Sequence, residues 1–282
     1  WEELYASPGF GIWLGNFRDT LSDEKANLEF SNFVAKKIRQ RVKSSEIAEL
    51  LIPKDHGFGT RRVPMENGYY EAFNQDNVKL VNLEANPIIE VTKSGILTEN
   101  DEYNFDIIIY ATGFDAVTGS FDRIEFVGKD GISLKEKWEN GPRTVYGLAV
   151  PNFPNLLTLA GPQSGSVATN FPRGIEEAVN WSSGFLEFLE KNKIEYFDAK
   201  LEAESLWNDH VTEMAEKILF AKEKSWFTGY NANVDKKYKG KCLIYAGGQI
   251  RFREFITNEK TQNYPSFDKF TTDQDVLKHF VH

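Results

Sequence analysis

The stretch FDIIIYATG, from Phe105 to Gly113, decides the fold class of this chain. Its apolar, β-branched run over residues 105–110 is typical of a strand that is buried on both faces of a sheet. Residues 156–160 (LLTLA) predict a second buried strand, which ends at Gly161-Pro162, and residues 241–245 (KCLIY) predict a last one. Shorter strands with alternating apolar and polar residues are predicted at 78–83 and 88–91.

Amphipathic helices alternate with these strands. Ser22 is the predicted N-cap of the first helix, whose apolar side chains recur at three- and four-residue spacings from Ala26 to Val42. Two more helices are predicted at about 173–190 and 202–220, the second with Leu206 and Val211 on its apolar side. The polar residues after about 258 predict a loosely attached tail. Buried strands combined with amphipathic helices predict an α/β fold.

The composition excludes several classes of protein. Hydrophobic residues make up 41% of the 282 residues and charged residues 27%, which predicts a packed core and excludes a disordered or collagen-like chain. The net charge of −9 argues against general nucleic-acid binding. The single cysteine, Cys242, excludes an internal disulfide framework and is typical of a reducing compartment, so a cytoplasmic location is predicted. No apolar run approaches the ~20 residues that span a bilayer, and the scattered histidines predict no metal site.

Two glycine motifs each have a functional and a structural interpretation. Gly9-Phe10-Gly11 with Gly15 has the spacing G-x-G-x-x-x-G instead of G-x-G-x-x-G, and no predicted strand precedes it, so a phosphate loop is disfavoured. Residues 161–165 (GPQSG) place the serine one position later than the G-x-S-x-G of a hydrolase elbow. The better interpretation of this second motif is a loop that presents backbone N–H groups at the end of a strand.

Two further features can each be interpreted as structural or as ligand-binding. Arg61 and Arg62 are paired in a segment that is bounded by Gly59 and Pro64. They are either solvated surface residues or a local anion site, because guanidinium groups bind phosphate and oxyanions. Trp226, within residues 224–229 (KSWFTG), is either a packing anchor or a ligand contact.

Several long segments together resemble the Baeyer–Villiger monooxygenases, in particular the flavoproteins of the cyclohexanone and phenylacetone monooxygenase type. These segments are residues 59–81 (GTRRVPMENGYYEAFNQDNVKLV), 103–121 (YNFDIIIYATGFDAVTGSF), 131–166 (GISLKEKWENGPRTVYGLAVPNFPNLLTLAGPQSGS) and 224–234 (KSWFTGYNANV). The resemblance runs in order from about Trp1 to about Phe267. Residues 111–116 (ATGFDA) alone would indicate only the broader clan of flavin monooxygenases.

The resemblance implies an enzyme that binds FAD and NADPH. Through a C4a-peroxyflavin, such an enzyme inserts one oxygen atom of O2 next to a ketone carbonyl and forms an ester or lactone. The implied fold is part of a flavoprotein monooxygenase with two dinucleotide-binding domains. In this assignment, residues 1–58 are the helical part of the NADPH domain, 59–113 its last strands and the hinge, and 114–282 the closing half of the FAD domain with the cofactor loop and the tail.

The resemblance also implies that parts of the family pattern are absent from this sequence. Neither the glycine-rich FAD fingerprint, nor the signature around a His and a Trp, nor the NADPH fingerprint is present. The chain opens at Trp1, so it is predicted to be a piece of a longer polypeptide. The N-terminal half of that polypeptide is then its expected partner, and the chain alone is expected to be inactive.

Individual residues take roles from the resemblance. Arg62 matches the catalytic arginine that stabilises the anionic flavin and the peroxide, and Arg61 matches a basic residue that reads the 2′-phosphate of NADPH. Trp226 matches a tryptophan that hydrogen-bonds the nicotinamide cofactor, and Asn170 with Phe171 matches a helix start that meets the flavin. The hinge positions next to the cofactors are Ala111, Thr112, Gly113 and Asp115. The substrate-pocket positions are Ser166, Val167, Ala168, Phe171 and Ile244.

Two other functions stay open from the sequence. A flavin monooxygenase that oxidises heteroatoms or hydroxylates nitrogen would share the hinge sequence at 111–113. A folded fragment without bound flavin is the alternative that is not an enzyme. Finally, the glycine and asparagine residues between 221 and 235, next to Trp226, predict a lid that is mobile until NADPH binds.

Overall fold

The computed structural model describes residues 1–165, 170–230 and 241–271, and the chain divides into two compact units, Trp1–Gly113 and Phe114–His282. The helices are α1 (Glu2–Ala6), α2 (Gly11–Leu14), α3 (Glu24–Arg41), α4 (Ser45–Leu51), α5 (Tyr69–Ala72), α6 (Leu134–Lys137), α7 (Phe171–Lys191), α8 (Leu201–Glu216) and α9 (Gln249–Thr261). The strands are β1 (Ile88–Val91), β2 (Gly95–Thr98), β3 (Glu102–Asn104), β4 (Tyr196–Ala199) and β5 (Phe267–Phe270). None of the helices in the described residues is both long and apolar enough to cross a membrane.

Helix α3 is the central element of the first unit. Its N-cap is Asp23, whose carboxylate accepts a hydrogen bond from the backbone N–H of Ala26 at 2.9 Å, so the predicted cap at Ser22 is wrong by one residue. The carboxylate also suits the positive end of the helix dipole. Phe30 and Ile38 lie on the buried face, where the Phe30 ring contacts that of Phe58 edge-on at 4.8 Å. The predicted amphipathic helix is confirmed.

The sheet of the first unit is an antiparallel meander in the order β1-β2-β3. Gly95 faces Asn104 in this ladder, and a Cβ at Gly95 would lie only 1.7 Å from the carbonyl oxygen of Tyr103. The strand predicted at 88–91 is confirmed as β1. The strand predicted at 78–83 is wrong, because this segment is irregular in the structure and pairs with none of the named strands.

The segment that decided the fold prediction is not a buried strand within this chain. Ile107, Ile109 and Tyr110 are 77%, 84% and 71% exposed, and residues 105–110 belong to neither sheet of the described chain. A β-strand is stable only when a neighbouring strand takes up its N–H and C=O groups. Neither described sheet provides such a neighbour, so the prediction is wrong for this chain taken alone.

The second unit is built on an aromatic core between α7, α8, α9 and the β4–β5 pair. At its centre the Phe185 ring lies 4.5 Å from that of Tyr264 and 4.9 Å from those of Phe197 and Phe267. Residues 259–271 are therefore packed and do not form the predicted loose tail, because Tyr264 and Phe267 are core residues and β5 pairs with β4.

Three other predictions for the second unit need correction. Helix α8 ends at Glu216, and Leu206 is 72% exposed, while Val211 lies on the buried face as expected. Residues 156–160 and 241–245 are not strands, although the first segment is held by the Thr158 N–H, which donates to the carbonyl of Leu148 at 2.8 Å. Neighbouring loops thus supply hydrogen bonds that a sheet was expected to supply.

Truncating the central phenylalanine tests this core. Phe185→Ala should lower the free energy of unfolding by about 3–5 kcal/mol, because it leaves a cavity among four aromatic rings. Leu186→Ala is the matched control on the same helix, since Leu186 is 54% exposed, and it should cost no more than about 0.5 kcal/mol. Urea titrations followed by circular dichroism measure both values. Equal losses for the two variants would contradict this description of the core.

A carboxyl group in β4 predicts a pH-dependent stability. Burial raises the pKa of Asp198 to about 6, although the Asn152 N–H donates to its carboxylate at 3.0 Å. Asp268 on the paired strand raises this pKa further and Lys129 lowers it. Because the folded-state pKa lies above the unfolded one, the folded chain binds the extra proton, and this contribution to stability is lost as the pH rises from about 4 to about 6.

Asp198→Asn should remove the loss of stability that the parent chain shows as the pH rises from about 4 to about 6. The free energy of unfolding of the variant, relative to the parent, should increase across this pH window and stay level above it. Urea titrations at each pH measure the difference. A difference that does not change with pH would show that Asp198 titrates normally in the folded chain.

Candidate cofactor and catalytic site

The loop before the paired arginines is held by one buried amide. Asn27 of α3 is 4% exposed, and its Nδ2 donates to the carbonyl oxygens of Thr20 at 2.7 Å and Phe58 at 2.8 Å. A Cβ at Gly57 would lie 1.9 Å from Asn27 Oδ1, so only glycine fits there. Ser31, one turn further along α3, accepts a hydrogen bond from the Phe58 N–H at 2.9 Å. Helix α3 therefore fixes the course of the chain at residues 57–58.

An indole ring fixes the next part of the loop. The Trp13 Nε1 donates to the carbonyl oxygen of Gly59 at 3.2 Å, and Trp13 is itself buried. Gly59 has a φ of 75°, and a Cβ there would lie 2.7 Å from Trp13 Nε1 and 2.8 Å from Leu21 Cδ2. Both the left-handed backbone and the close approach require glycine. Thr60 is buried too, and its hydroxyl donates to the carbonyl of Gly57 at 2.8 Å.

Arg62 lies over two aromatic rings. Its guanidinium carbon is 4.8 Å from the centre of the Phe10 ring and 5.4 Å from that of Trp13. Rings at this distance attract a cation through their negative faces and restrict where the guanidinium can lie. The half-buried Arg62 is therefore a fixed positive charge on a rigid loop, and the interpretation as freely solvated surface is wrong for it.

Arg61 has a different partner. Its Nη2 is 2.8 Å from Asp55 Oδ2, and the other carboxylate oxygen of Asp55 is 2.7 Å from His56 Nδ1. The hydrogen bond with His56, followed by the one from Arg61, lowers the pKa of Asp55, so this carboxylate is ionised at neutral pH. Within the described residues the buried Nε of Arg61 has no hydrogen-bond partner. The two arginines are thus adjacent in sequence but are held by separate groups.

The chain after the arginines is tied back to α3. The guanidinium of Arg41 forms ion pairs with Glu66 at 2.7 Å and Glu71 at 2.6 Å, and it also donates to the Tyr5 hydroxyl at 3.0 Å. The hydrogen bond from Arg41 lowers the pKa of Glu71 to about 2. The segment that carries Arg61 and Arg62 is therefore anchored to α3 on both sides.

The predicted hinge residues lie around the boundary between the two units. Ala111, Thr112 and Gly113 are exposed, and Gly113 has a φ of 89° with nothing near the position of a Cβ. Asp115 is half-buried, and its backbone oxygen would lie 2.2 Å from a Cβ at Gly119, which explains the glycine there.

The start of α7 has the predicted capping geometry. Asn170 is the N-cap and accepts a hydrogen bond from the Arg173 N–H at 3.4 Å, while Pro172 lies in the first turn. Phe171 is 47% exposed. The N–H groups of a first helical turn have no partner within the helix, and they favour a negative charge.

Trp226 lies in a packed 3-10 turn, Trp226–Thr228, which Ser225 and Thr228 close as a capping box. The adjacent Phe227 is 1% exposed and packs against Phe220, and Ile244 is 3% exposed in the same cluster. Residues 225–228 therefore form a packed turn, and the closure of this segment over NADPH stays a prediction. Residues 231–235 lie outside the described residues.

The sequence did not reveal a buried polar network under residues 161–165. Gln163, at 3% exposure and with a φ of 64°, accepts from the Thr144 N–H at 3.2 Å and donates to Asn208 Oδ1 at 3.1 Å. The backbone N–H groups of Gln163 and Ser164 donate to the carbonyls of Leu243 and Gly161. These two N–H groups are thus used inside the unit, and the wider expectation that the loop presents N–H groups to a ligand stays a prediction.

The structure places the predicted site residues in separate surroundings. Ile244 and Trp226 share one cluster, whereas Phe171 is exposed at the start of α7. Ser166, Val167 and Ala168 lie outside the described residues. Sequence reasoning missed Asn27, Trp13 and Asp55, which position the arginine loop. The glycines at 57 and 59, directly before the arginines, are the one local signal that pointed to a constrained loop.

Known proteins match the chain over most of its length. The 2-oxo-Δ3-4,5,5-trimethylcyclopentenylacetyl-CoA monooxygenase of Pseudomonas putida is 42% identical over 267 residues, which are 95% of this chain and 49% of that protein. The cyclohexanone 1,2-monooxygenase of an Acinetobacter species is 38% identical over 92% of this chain and 47% of its own length. The chain belongs to the Baeyer–Villiger monooxygenase family. No protein-family model matches it.

Solved structures of this family have the same fold. A crystal structure of OTEMO with FAD and NADP superposes with a TM-score of 0.86 at 42% identity, over 95% of this chain and 49% of that one. Cyclohexanone monooxygenase from Rhodococcus sp. Phi1, bound to NADP+, has a TM-score of 0.85 at 34% identity, over 94% and 49%. The predicted family and the mixed α/β flavoprotein fold are confirmed. The chain spans about half the length of the relatives that it matches.

A third relative is named for a different reaction. Phenazine N-monooxygenase PhzNO1 of Lysobacter antibioticus is 36% identical over 260 residues, which are 92% of this chain and 47% of that protein. Its similarity to this chain is close to that of the ketone monooxygenases. Membership of the Baeyer–Villiger monooxygenase family by sequence therefore includes a protein that is named for oxidation at nitrogen.

Enlarging Gly57 tests how the arginine loop is held. In Gly57→Ala the new methyl group would meet Asn27 Oδ1, so the free energy of unfolding should fall by about 1–3 kcal/mol. Gly11→Ala is the matched control, because its nearest neighbour would be Leu4 Cδ2 at 3.9 Å, an ordinary contact. Urea titration measures both variants. If Gly57→Ala were as stable as Gly11→Ala, Asn27 would not constrain the loop.

Proposed function

We propose that this chain forms part of an NADPH- and FAD-dependent Baeyer–Villiger monooxygenase. The proposed reaction inserts one atom of O2 next to the carbonyl of a ketone and gives an ester or lactone. Support comes from the family to which the chain belongs and from the rigid arginine loop. Because the relatives are about twice as long, we propose that the active enzyme also needs the other half of the family's length, its N-terminal half.

The observation that carries this proposal is the fixed charge of Arg62. The oxygen-transfer step builds negative charge on oxygen, and a preorganised cation stabilises such charge without reorganising during the reaction. An arginine keeps its proton at any physiological pH. The guanidinium of Arg62 meets both requirements, because it lies over Phe10 and Trp13, and the Trp13 indole also donates to the carbonyl of Gly59 in the same loop.

The described residues fit part of a binding site for the two cofactors. Arg61 is proposed to bind the 2′-phosphate of NADPH, since a guanidinium pairs well with phosphate, and Trp226 is proposed to contact its nicotinamide. The positive end of the dipole of helix α7, which begins at Phe171 after the N-cap Asn170, suits the electron-rich edge of a flavin. Bound reduced flavin supplies the electrons that activate O2. The glycine-rich fingerprints that would complete either site are not in this sequence.

The two units receive separate assignments under this proposal. Residues 1–113 belong to the NADPH domain, with its helical part at 1–58 and the hinge near Ala111, Thr112, Gly113 and Asp115, and residues 114–282 belong to the FAD domain. The boundary between the compact units, directly after Gly113, supports a hinge there. Ser166, Val167, Ala168, Phe171 and Ile244 are the proposed residues of the ketone pocket.

A cytoplasmic location is part of the same proposal. It is supported by the single cysteine, which the chain does not use as an exposed thiol. Burial raises the pKa of Cys242 to about 11, and its thiol donates to the carbonyl oxygen of Ile244 at 3.1 Å. A neutral, hydrogen-bonded thiol of this kind needs no disulfide partner.

The second candidate function is oxidation at nitrogen or another heteroatom. The phenazine N-monooxygenase relative supports this alternative, since it matches the same part of this chain. A chimera that places this chain behind the N-terminal half of the Pseudomonas putida relative tests both functions. NADPH-dependent turnover of cyclohexanone supports the ketone reaction, and exclusive turnover of an aromatic N-heterocycle supports the alternative. If the flavin absorption band is absent from the chimera as well as from the chain alone, the enzyme proposal fails.

Substitutions of Arg62 in this chimera test its role. Arg62→Ala should keep bound FAD and its reduction by NADPH, and it should lower ester formation by about 10²–10³-fold, because the charge that stabilises the developing oxyanion is lost. Arg62→Lys should restore part of the rate, since an ammonium lacks the planar fork. Stopped-flow flavin reduction and gas chromatography of the ester measure the two steps. Ester formation near the parental rate in Arg62→Ala would remove Arg62 from the mechanism.

Substituting the neighbouring arginine separates binding from catalysis. Arg61→Ala should raise the KM for NADPH far more than that for NADH, because only NADPH carries the 2′-phosphate. The ratio of the two kcat/KM values measures this preference, and Arg62→Ala serves as the control that should leave the ratio unchanged. If Arg61→Ala weakened the binding of NADPH and NADH equally, Arg61 would have only a structural role, in its ion pair with Asp55.

A further inference from the structure

The carboxylate of Asp55 lies in direct contact with the arginine that is proposed to bind the 2′-phosphate. Its Oδ2 accepts a hydrogen bond from Arg61 Nη2 at 2.8 Å, and its Oδ1 accepts one from His56 Nδ1 at 2.7 Å. An ionised carboxylate only accepts hydrogen bonds, so the imidazole donates from Nδ1. Two neighbours therefore fix both oxygens of this carboxylate.

Asp55 is a negative charge that solvent and ligands can reach. Its side chain is 67% exposed, and that of Arg61 is 36% exposed. The hydrogen bond with His56, followed by the one from Arg61, lowers the pKa of Asp55, so the charge is present at neutral pH. An ion pair as exposed as this one contributes little to stability. Its effect on a bound anion is the larger consequence.

The guanidinium of Arg61 has room for both anions. The hydrogen bond to Asp55 uses one N–H of Nη2, and a guanidinium has five N–H groups in a planar fork. Two anions that are bound by one fork at about 2.8 Å lie about 5 Å apart. At that separation two negative charges repel each other, and water screens this repulsion only in part.

A ribose with a free 2′-hydroxyl interacts differently with the same carboxylate. The 2′-hydroxyl of NADH is neutral, and it can donate a hydrogen bond to an acidic side chain, as it does in many sites that bind NAD. The pair Asp55 and Arg61 thus contains a group that suits each cofactor. The guanidinium suits the 2′-phosphate, and the carboxylate suits the 2′-hydroxyl.

We infer that Asp55 is a specificity-determining residue, which lowers the preference of the enzyme for NADPH over NADH. The inference rests on the proposed function, in which Arg61 binds the 2′-phosphate. His56 supports this role, because it holds the second oxygen of the carboxylate in place. A carboxylate that only positions Arg61 would have the opposite effect, since its removal would weaken the binding of the phosphate.

The test removes the charge of Asp55 and keeps its shape. Asp55→Asn retains an oxygen that can accept from Arg61 Nη2. Glu49→Gln is the matched control, because Glu49 is 44% exposed, forms an ion pair with Arg39 at 2.6 Å and loses the same charge. Both variants are made in the chimera with the N-terminal half of the Pseudomonas putida relative. Isothermal titration calorimetry measures the Kd for NADP+ and for NAD+, so the result does not depend on turnover.

Asp55→Asn should bind NADP+ about 10-fold more tightly than the parent chimera, because the repulsion of the 2′-phosphate is removed. Its Kd for NAD+ should not fall, since NAD+ has no charge at this position. Glu49→Gln should leave both dissociation constants unchanged. All three proteins should melt at the same temperature, because both carboxylates are exposed.

Three results would overturn the inference. They are an unchanged or higher Kd for NADP+ in Asp55→Asn, an equal gain for both nucleotides, and the same gain in Glu49→Gln.

Arg61→Ala in the same series tests the proposed function separately. If Arg61→Ala weakens NADP+ binding while Asp55→Asn has no effect, the inference alone fails. If Arg61→Ala leaves the Kd for NADP+ unchanged, the phosphate is bound elsewhere, and the proposed role of Arg61 fails together with the inference. A chimera that binds neither nucleotide would contradict both.

Discussion

The hydrogen bonds of one buried amide, that of Asn27, hold the loop that leads to Arg61 and Arg62. Its Nδ2 donates to two backbone carbonyls that are 38 residues apart along the chain, those of Thr20 and Phe58. Leaving such carbonyls unpaired in a buried place costs more than a hydrogen bond contributes, so the loop has one favourable course. Gly57 and Gly59 lie on this course at positions where a side chain would meet neighbouring atoms. The same course sets where the chain presents Arg61 and Arg62. The proposed anion site thus depends on a neutral hydrogen bond of a residue in α3.

The second unit is stabilised differently, by aromatic packing and by a closed polar network. The rings around Phe185 bring the segment near Phe267 into the core, and Gln163 connects Thr144 with Asn208 under the loop at 161–165. Buried polar groups that are all paired hold a loop in one arrangement as firmly as apolar packing does. Phe227 packs in the same unit and makes Trp226 part of a fixed surface. Each compact unit therefore has its own core, whereas the exposed segment at residues 105–110 packs into neither.

The exposed segment at residues 105–110 lies directly before the proposed hinge, so it links the fold to the proposed function. The rings that lie against the proposed catalytic cation, those of Phe10 and Trp13, belong to the first unit, as Arg62 itself does. A complete dinucleotide site cannot form from this sequence alone, because its phosphate-binding turns belong to strand–turn–helix units that the sequence does not contain. Ile107 and Ile109 are exposed in this chain, although their apolar pattern is typical of an interior strand. Under the proposed function, this chain supplies the cation of Arg62, and the binding of substrate and cofactors also needs the other half of the family's length.

The sequence by itself determined the family, the α/β class, the long helices α3 and α7 and the identity of the two arginines. Helices are readable because their apolar spacing and their caps are local, within a few residues. It predicted a buried strand at residues 105–110, which this chain does not form, because a strand is buried only by neighbours that are remote in the chain and the described residues provide none. The tertiary structure alone decided that Phe227 is a core residue, that the chain near Phe267 packs instead of forming a tail, and that Asn27 and Trp13 hold the arginine loop. These contacts join positions tens of residues apart, and no periodicity in the sequence reports which partner a buried side chain will meet.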